Sequence, residues 1–172
     1  MPLYPDLVHK IDTLDYEGFA VLPEYLDRNG HMNIGYYSVL FDQALDRPWA
    51  LMGLGYDNIA ANGRSGHSSF ALESHVTYPR EVREGDPLDF TFQIIDIDAK
   101  RIHYFMTMLH RRERWLAATL ESISICINMT TRRSGTWPDE PLARLRAVFE
   151  AHRQRPRPAE VGRTIGIRRN SA

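Results

Sequence analysis

The chain has a single cysteine, Cys126, among 172 residues, so no disulfide can form within it. No apolar run approaches the roughly 20 residues that a membrane-spanning helix needs. Neither sign of charge prevails: 21 Lys and Arg stand against 22 Asp and Glu, a net charge of −1. A near-neutral chain lacks the broad basic field of a nucleic-acid or membrane-surface binder, and neither partner is expected. There is no Gly-rich phosphate loop, internal repeat or low-complexity tract. The histidines His31, His67, His75, His103 and His110 form neither an HxH nor an HExxH pattern, so no metal is expected. The N-terminus, MPLYPDLVHKID, lacks a charged-then-apolar signal pattern. These absences point to a reducing, cytoplasmic setting, with Cys126 an inert buried thiol in an apolar run. What remains is the make-up of one folded unit with a proper core: 43% apolar and 25% charged residues.

The most informative stretch is Tyr25 to Ala44, YLDRNGHMNIGYYSVLFDQA. Asp27, Asn29 and Gly30 are turn formers, and Gly30 tolerates φ > 0. Asn33 is a good N-cap. Beyond it Ile34, Tyr37, Leu40, Phe41, Ala44 and Leu45 recur at helical spacing as one apolar stripe. A carboxylate, Asp27, therefore stands in a turn just before a helix N-terminus, with its unpaired N–H groups and partial positive charge. Gly35, in the first turn, lets a ligand approach the backbone. The arrangement suits attack on a carbonyl, with the helix terminus polarising the oxygen and the carboxylate attacking or activating water. A solvated capping turn is the plain alternative.

Along the chain, residues 1–15 read as a short arm and Tyr16 to Leu22 as a first strand. Pro48 is expected to break or kink the long helix, with a short second helix from Trp49 to Leu54. Residues 55–66 read as a loop, with room for one helical turn. Phe70, Leu72, Val76 and Tyr78 alternate with polar neighbours as a strand. Leu88, Phe90, Phe92 and Ile94 alternate next, and the phase slips at Ile95 and Ile97, which predicts a bulge. Asp98-Ala99-Lys100 is a reversal. Ile102 to Leu109 is apolar on both faces, as in a central strand. Trp115 to Ile127 is the longest strand. Leu142, Leu145, Val148 and Phe149 predict a C-terminal helix, begun by Asp139 and Glu140. From Arg153 onward the chain reads as a partly disordered basic tail. The fold class is α+β: a five-stranded antiparallel sheet wrapped around one long helix, plus the C-terminal helix. Residues 1–138 form the domain, and 139–172 the helix and tail.

The motif D-x-x-G-H-M-N followed by Y-Y resembles the hotdog-fold acyl-CoA thioesterases of the 4-hydroxybenzoyl-CoA thioesterase type. The resemblance runs from about Tyr16 to Pro138 and includes HVTYPREVREGDPL. Within that family, VLPEYLDRNGHMNIGYY is most similar to the thioesterases of carnitine breakdown, which hydrolyse betainyl-CoA. The resemblance implies the hotdog fold and hydrolysis of an acyl-CoA thioester, betainyl-CoA or another short acyl-CoA. It implies Asp27 as nucleophile or general base and the N–H of Ile34 or Gly35 as donor to the carbonyl oxygen. No cofactor beyond the substrate's own CoA is implied. A homodimer or homotetramer is, with sheets joined at their edges. His31 and Asn33 match family positions and are assigned to substrate binding, His31 alternatively to holding the turn backbone.

A quaternary ammonium acyl group favours aromatic faces. Tyr36, Tyr37, Phe41, Trp49 and Tyr56 are the candidates for such a cage, with Tyr36, off the core stripe, the best placed. Glu73 is a candidate pocket residue between subunits. CoA phosphates call for cations, and Arg80, Arg101 and Arg132 are assigned to them, from a wider set with Arg83, Lys100 and Arg133. A hotdog dehydratase or hydratase and a non-catalytic acyl-CoA binder are the other readings. The proline-rich histidine motif of the former is missing, and a binder has no need of Asp27.

Overall fold

The structure, a computed structural model, describes residues 4–55 and 66–167. Four strands form an antiparallel sheet: β1 (His67–Thr77), β2 (Leu88–Ile97), β3 (Arg101–His110) and β4 (Leu116–Asn128). Their order is β1-β4-β3-β2, and a two-residue fifth strand, β5 (Arg133–Ser134), pairs with β4. As expected, β3 is flanked on both sides and β4 is the longest. The phase slip in β2 is a bulge between Ile94 and Asp96. Helix α2 (Ile34–Met52) lies against the inner face of the sheet. Phe41 meets Phe90 at 5.8 Å between ring centroids, and Trp49 meets Phe92 and Tyr104 at 5.6 and 5.2 Å. Along β3, Tyr104, Met106 and Met108 turn to that core and are buried. Cys126 is buried too, and burial pushes its thiol up to about 11. No helix among the described residues is long and apolar enough to cross a membrane.

Several expectations are corrected. The N-terminal arm is helix α1 (Pro5–Asp12): Pro5 stands in its first turn, where a missing N–H costs nothing, and Leu7 and Ile11 are buried one turn apart. Tyr16 to Leu22 does not form a strand. Gly18, at φ +90, turns the chain, and only Ala20 bridges to Pro87. The segment is tied to the head of β2 by Val21 N–H to Asp86 C=O (3.1 Å) and Leu88 N–H to Phe19 C=O (2.8 Å). Pro48 does not break α2, which runs on to Met52 and stops at Gly53 in the left-handed region, φ +79. Proline removes one helical hydrogen bond, but Pro48 is buried with Leu45, Trp49 and Met52, and that packing holds the last turn. Ile34 is not part of the buried stripe; it is 65% exposed.

Helix α3 (Asp139–His152) packs on β2 through Leu145 and Val148. Its last residue, His152, is fully buried. Its Nδ1 accepts the Ile94 N–H at 2.9 Å, beside the bulge, and Nε2 lies 3.3 Å from Asp12 Oδ1 in α1. As far as Gly162 the tail is held rather than loose. Arg155 pairs with Asp12, the Gln93 amide donates to the carbonyls of His152 and Pro156, and Gly162 N–H donates to Glu121 Oε2 at 2.8 Å.

Candidate active site

The turn ahead of α2 closes on itself. Asp27 N–H donates to the His31 carbonyl (2.8 Å), Gly30 N–H to the Asp27 carbonyl (3.1 Å), and Leu26 bridges Met32. Gly30 sits at φ +74, which the closure requires and a side chain would oppose. Asn33 N–H then reaches back to the Tyr25 carbonyl at 2.8 Å. These bonds fix Asp27 beside the first turn of α2.

The two oxygens of Asp27 differ. Oδ1 accepts the Asn29 N–H at 2.8 Å and, more weakly, the His31 N–H at 3.4 Å. Among the described residues Oδ2 has only the Asn29 carboxamide at 3.5 Å, too long for a firm bond. One oxygen anchors the carboxylate, and the other has no firm hydrogen bond among the described residues. The Asn29 N–H is the main cause holding the carboxyl below its usual range; burial opposes it and the His31 N–H adds to it. Asp27 is therefore ionised at neutral pH.

The first-turn amides divide in the same way. Asn33 caps the helix, its side-chain oxygen taking the Gly35 N–H at 2.9 Å, while Tyr36 N–H bonds the Asn33 carbonyl at 3.0 Å. Among the described residues the Ile34 N–H has no hydrogen-bond partner. Of the two expected donors, Ile34 is the free one, and Gly35 serves the cap.

His31 is exposed. Its Nε2 stands 3.1 Å from Glu81 Oε2, and Glu81 Oε1 accepts from Arg83 at 2.9 Å. Arg83's hydrogen bond, with the His31 charge behind it, lowers the Glu81 carboxyl. Tyr36 stacks on Tyr25 with centroids 4.5 Å apart and planes 26° off parallel. Tyr37 is buried, edge-on to Tyr78 at 4.9 Å. Tyr25 and Glu81 are the residues that sequence reasoning passed over. Tyr25 lay two positions from Asp27, but its stacking with Tyr36 arises only when the turn closes.

Other expected residues lie elsewhere. Trp49 is about 22 Å along the helix axis from Ile34, at 1.5 Å per residue, and packs in the core. Phe41 is fully buried as well. Tyr56 falls outside the described residues. Glu73 is on β1, and with His75, His103 and Glu121 it lines a cavity of about 460 Å³. The strand register puts those four side chains on the sheet face opposite α2. The arginines do not converge. Arg80 lies over the Trp115 ring at 4.1 Å, Arg101 pairs with Asp98 at 2.6 Å, and Arg132 lies over Phe70 at 5.3 Å. Among the described residues no group of three or more His, Cys, Asp or Glu could hold a metal.

One family model, that of the thioesterase-like superfamily, matches residues 21–145. The chain belongs to this family. It is 37% identical to the betainyl-CoA thioesterase of Pseudomonas aeruginosa, over 86% of this chain and 91% of that protein. It is 31% identical to an L-carnitine dehydrogenase/betainyl-CoA thioesterase of a Rhizobium species, over 84% of this chain but only 28% of that longer protein. Among solved structures, a Staphylococcus aureus protein in complex with CoA superposes with a TM-score of 0.78 at 29% identity, covering 87% of this chain and 92% of that one. The DHNA-CoA thioesterase of Staphylococcus aureus, at 18% identity and a TM-score of 0.66 over 77% of this chain and 91% of that one, shares the fold. The fold is the hotdog, and the protein is a thioesterase.

Proposed function

We propose that this thioesterase hydrolyses betainyl-CoA to betaine and CoA. The observation that carries the reading is the pairing of Asp27, ionised and with Oδ2 uncommitted, with the open Ile34 N–H. The thioester carbonyl oxygen accepts from the Ile34 N–H as negative charge grows on it. As general base, Asp27 takes a proton from the attacking water, whose oxygen adds to the carbonyl carbon; the C–S bond breaks, and the CoA thiolate takes up that proton as the acid is released. As nucleophile, Asp27 adds to the carbonyl carbon itself and the CoA thiolate leaves, giving a mixed anhydride that a water molecule then hydrolyses, freeing the acid and Asp27 and supplying the proton. A thiolate leaves without help from an acid, which suits a site with so few catalytic groups. The substrate is supported by likeness to the Pseudomonas aeruginosa enzyme over nearly its full length.

The working unit is a dimer. Strand β1 ends the sheet, and no strand among the described residues pairs with its outer edge. Its middle, Phe70 to Ser74, is exposed, with Leu72 58% accessible. An open edge of this length with apolar side chains invites a partner strand, and a second copy of β1 supplies one. Light scattering at micromolar concentration is expected to give twice the chain mass or a multiple of it; a monomer would reject this part.

The activity is tested by thiol release from a panel of acyl-CoAs. Betainyl-CoA is expected to give the highest kcat/KM. A uniform rate across the panel would reject the substrate. No release from any member would reject the reaction in favour of simple acyl-CoA binding.

A further inference from the structure

We infer that the stacked pair Tyr25 and Tyr36 is the platform that receives the quaternary ammonium group of the acyl chain and so sets substrate choice. The inference rests on the reading of betainyl-CoA as substrate and on the reach of that acyl group. In a betainyl thioester the nitrogen is only two bonds from the carbonyl carbon, about 2.5 Å. A cation interacts with a ring when it lies within about 6 Å of the centroid. Any recognising ring must therefore stand within about 8 Å of the carbonyl that Asp27 attacks.

That limit excludes Trp49, and burial excludes Phe41 and Tyr37. Trp49 is about 22 Å along α2. Phe41 is fully buried against Phe90, and Tyr37 is buried against Tyr78. Tyr25 and Tyr36 belong to the turn and first helical residues that carry Asp27 and the Ile34 amide. The Tyr25 carbonyl holds the N-cap residue Asn33, and Tyr36 is in the first turn, two positions beyond the free Ile34 amide. Both rings are half-buried, so part of each remains accessible. The platform is also unclaimed. Among the described residues, arginines lie over the rings of Tyr4, Tyr16, Phe19, Phe70 and Trp115, and none over this pair. The Asp27 carboxylate adds a negative charge on the same side of the helix terminus, which favours a cation there.

The test compares betainyl-CoA with its neutral isostere, tert-butylacetyl-CoA, in which carbon replaces the charged nitrogen. Wild type is expected to prefer the cation. Leucine at either position (Tyr25→Leu, Tyr36→Leu) is expected to raise KM for betainyl-CoA about tenfold while leaving that for the isostere nearly unchanged. Phenylalanine variants keep the ring face and are expected to keep the preference. They preserve the stacking, so the contrast remains readable if a leucine variant folds poorly: a Phe variant that loses the preference overturns the platform. Equal losses on both substrates in the leucine variants would also overturn it, since the pair would then only pack. If wild type cleaves both substrates equally well, the reaction stands and the platform falls. If it cleaves the isostere but not betainyl-CoA, the substrate reading itself has failed, and the platform with it.

Discussion

The two ends of α2 differ in composition and in what surrounds them. At the start, Asp27, His31, Asn33, Tyr36 and Ile34 stand at or near the surface, and most of their backbone N–H groups are bonded within the turn itself, with the Ile34 N–H and Asp27 Oδ2 left over. At the finish, Leu45, Pro48, Trp49 and Met52 are buried, and rings from the sheet close around Trp49. Local hydrogen bonding lets the first end hold its shape with only Met32 and Tyr37 buried, which leaves more of it open to a ligand. The second end is closed by the Gly53 and Leu54 N–H bonds to the Ala50 and Trp49 carbonyls, and its buried packing lets it carry a proline. The difference predicts that substitutions at the start change rate, and those at the finish change stability.

The largest effect is expected from Asp27→Asn. Asparagine keeps the size of the side chain and an oxygen for the Asn29 N–H but removes the charge. Thiol release should fall about 10³-fold, within the range usual for loss of a general base, with the urea midpoint unmoved. A drop in stability of matching size would break the comparison, because the turn would then be structural. At the other end, Trp49→Ala should cost about 4 kcal/mol in urea unfolding, as large aromatic truncations do, while kcat of the folded fraction changes by less than about twofold. A rate loss like that of the Asp27 variant would return Trp49 to the site.

How much of this could be read from the sequence follows the same division. The turn, the N-cap and the carboxylate were legible because their signals are local: Asn33 caps its own helix, and Asp27 bonds within four residues. The β2 bulge was legible from the broken alternation at Ile95 and Ile97. What depended on distant partners was misread. Proximity in sequence suggested Trp49 as a site residue, but a helix carries it away at 1.5 Å per residue. Pro5 looked like an arm, though Leu7 and Ile11 already stood at helical spacing. The tail looked loose because its anchors, Asp12, Gln93 and Glu121, come from three separate parts of the chain.

A histidine–carboxylate pair lies in each kind of environment, and the two extend the comparison. His152 is fully buried against Asp12. Burial, followed by the nearby Arg155 charge, lowers it from 6.5 to about 4. Above pH 6.5 the ring is neutral in folded and unfolded chains alike, and stability is at its full value. As pH falls from 6.5 toward 4, the unfolded chain takes up a proton that the folded one refuses, so stability drops. The loss should total about 3 kcal/mol across that window, read from urea midpoints at stepped pH. His152→Gln keeps an acceptor for the Ile94 N–H and should flatten the dependence. A slope unchanged in that variant would assign the acid sensitivity to other groups.

The smallest effect separates the exposed pair from the buried one. Glu81 meets His31 at 3.1 Å with both side chains about half accessible, where water and salt screen the attraction. Glu81→Gln keeps the length of the side chain and an oxygen facing the imidazole while removing its charge. Stability should be unaffected. What changes is how firmly His31 is held beside the Asp27 turn, so kcat/KM should fall by no more than about fivefold, and the loss should shrink further in 1 M salt, where the wild-type pair is itself weakened. A larger loss, insensitive to salt, would mean that Glu81 contacts the substrate rather than acting through His31. The start of α2 would then use two carboxylates in its chemistry where the turn alone supplies one.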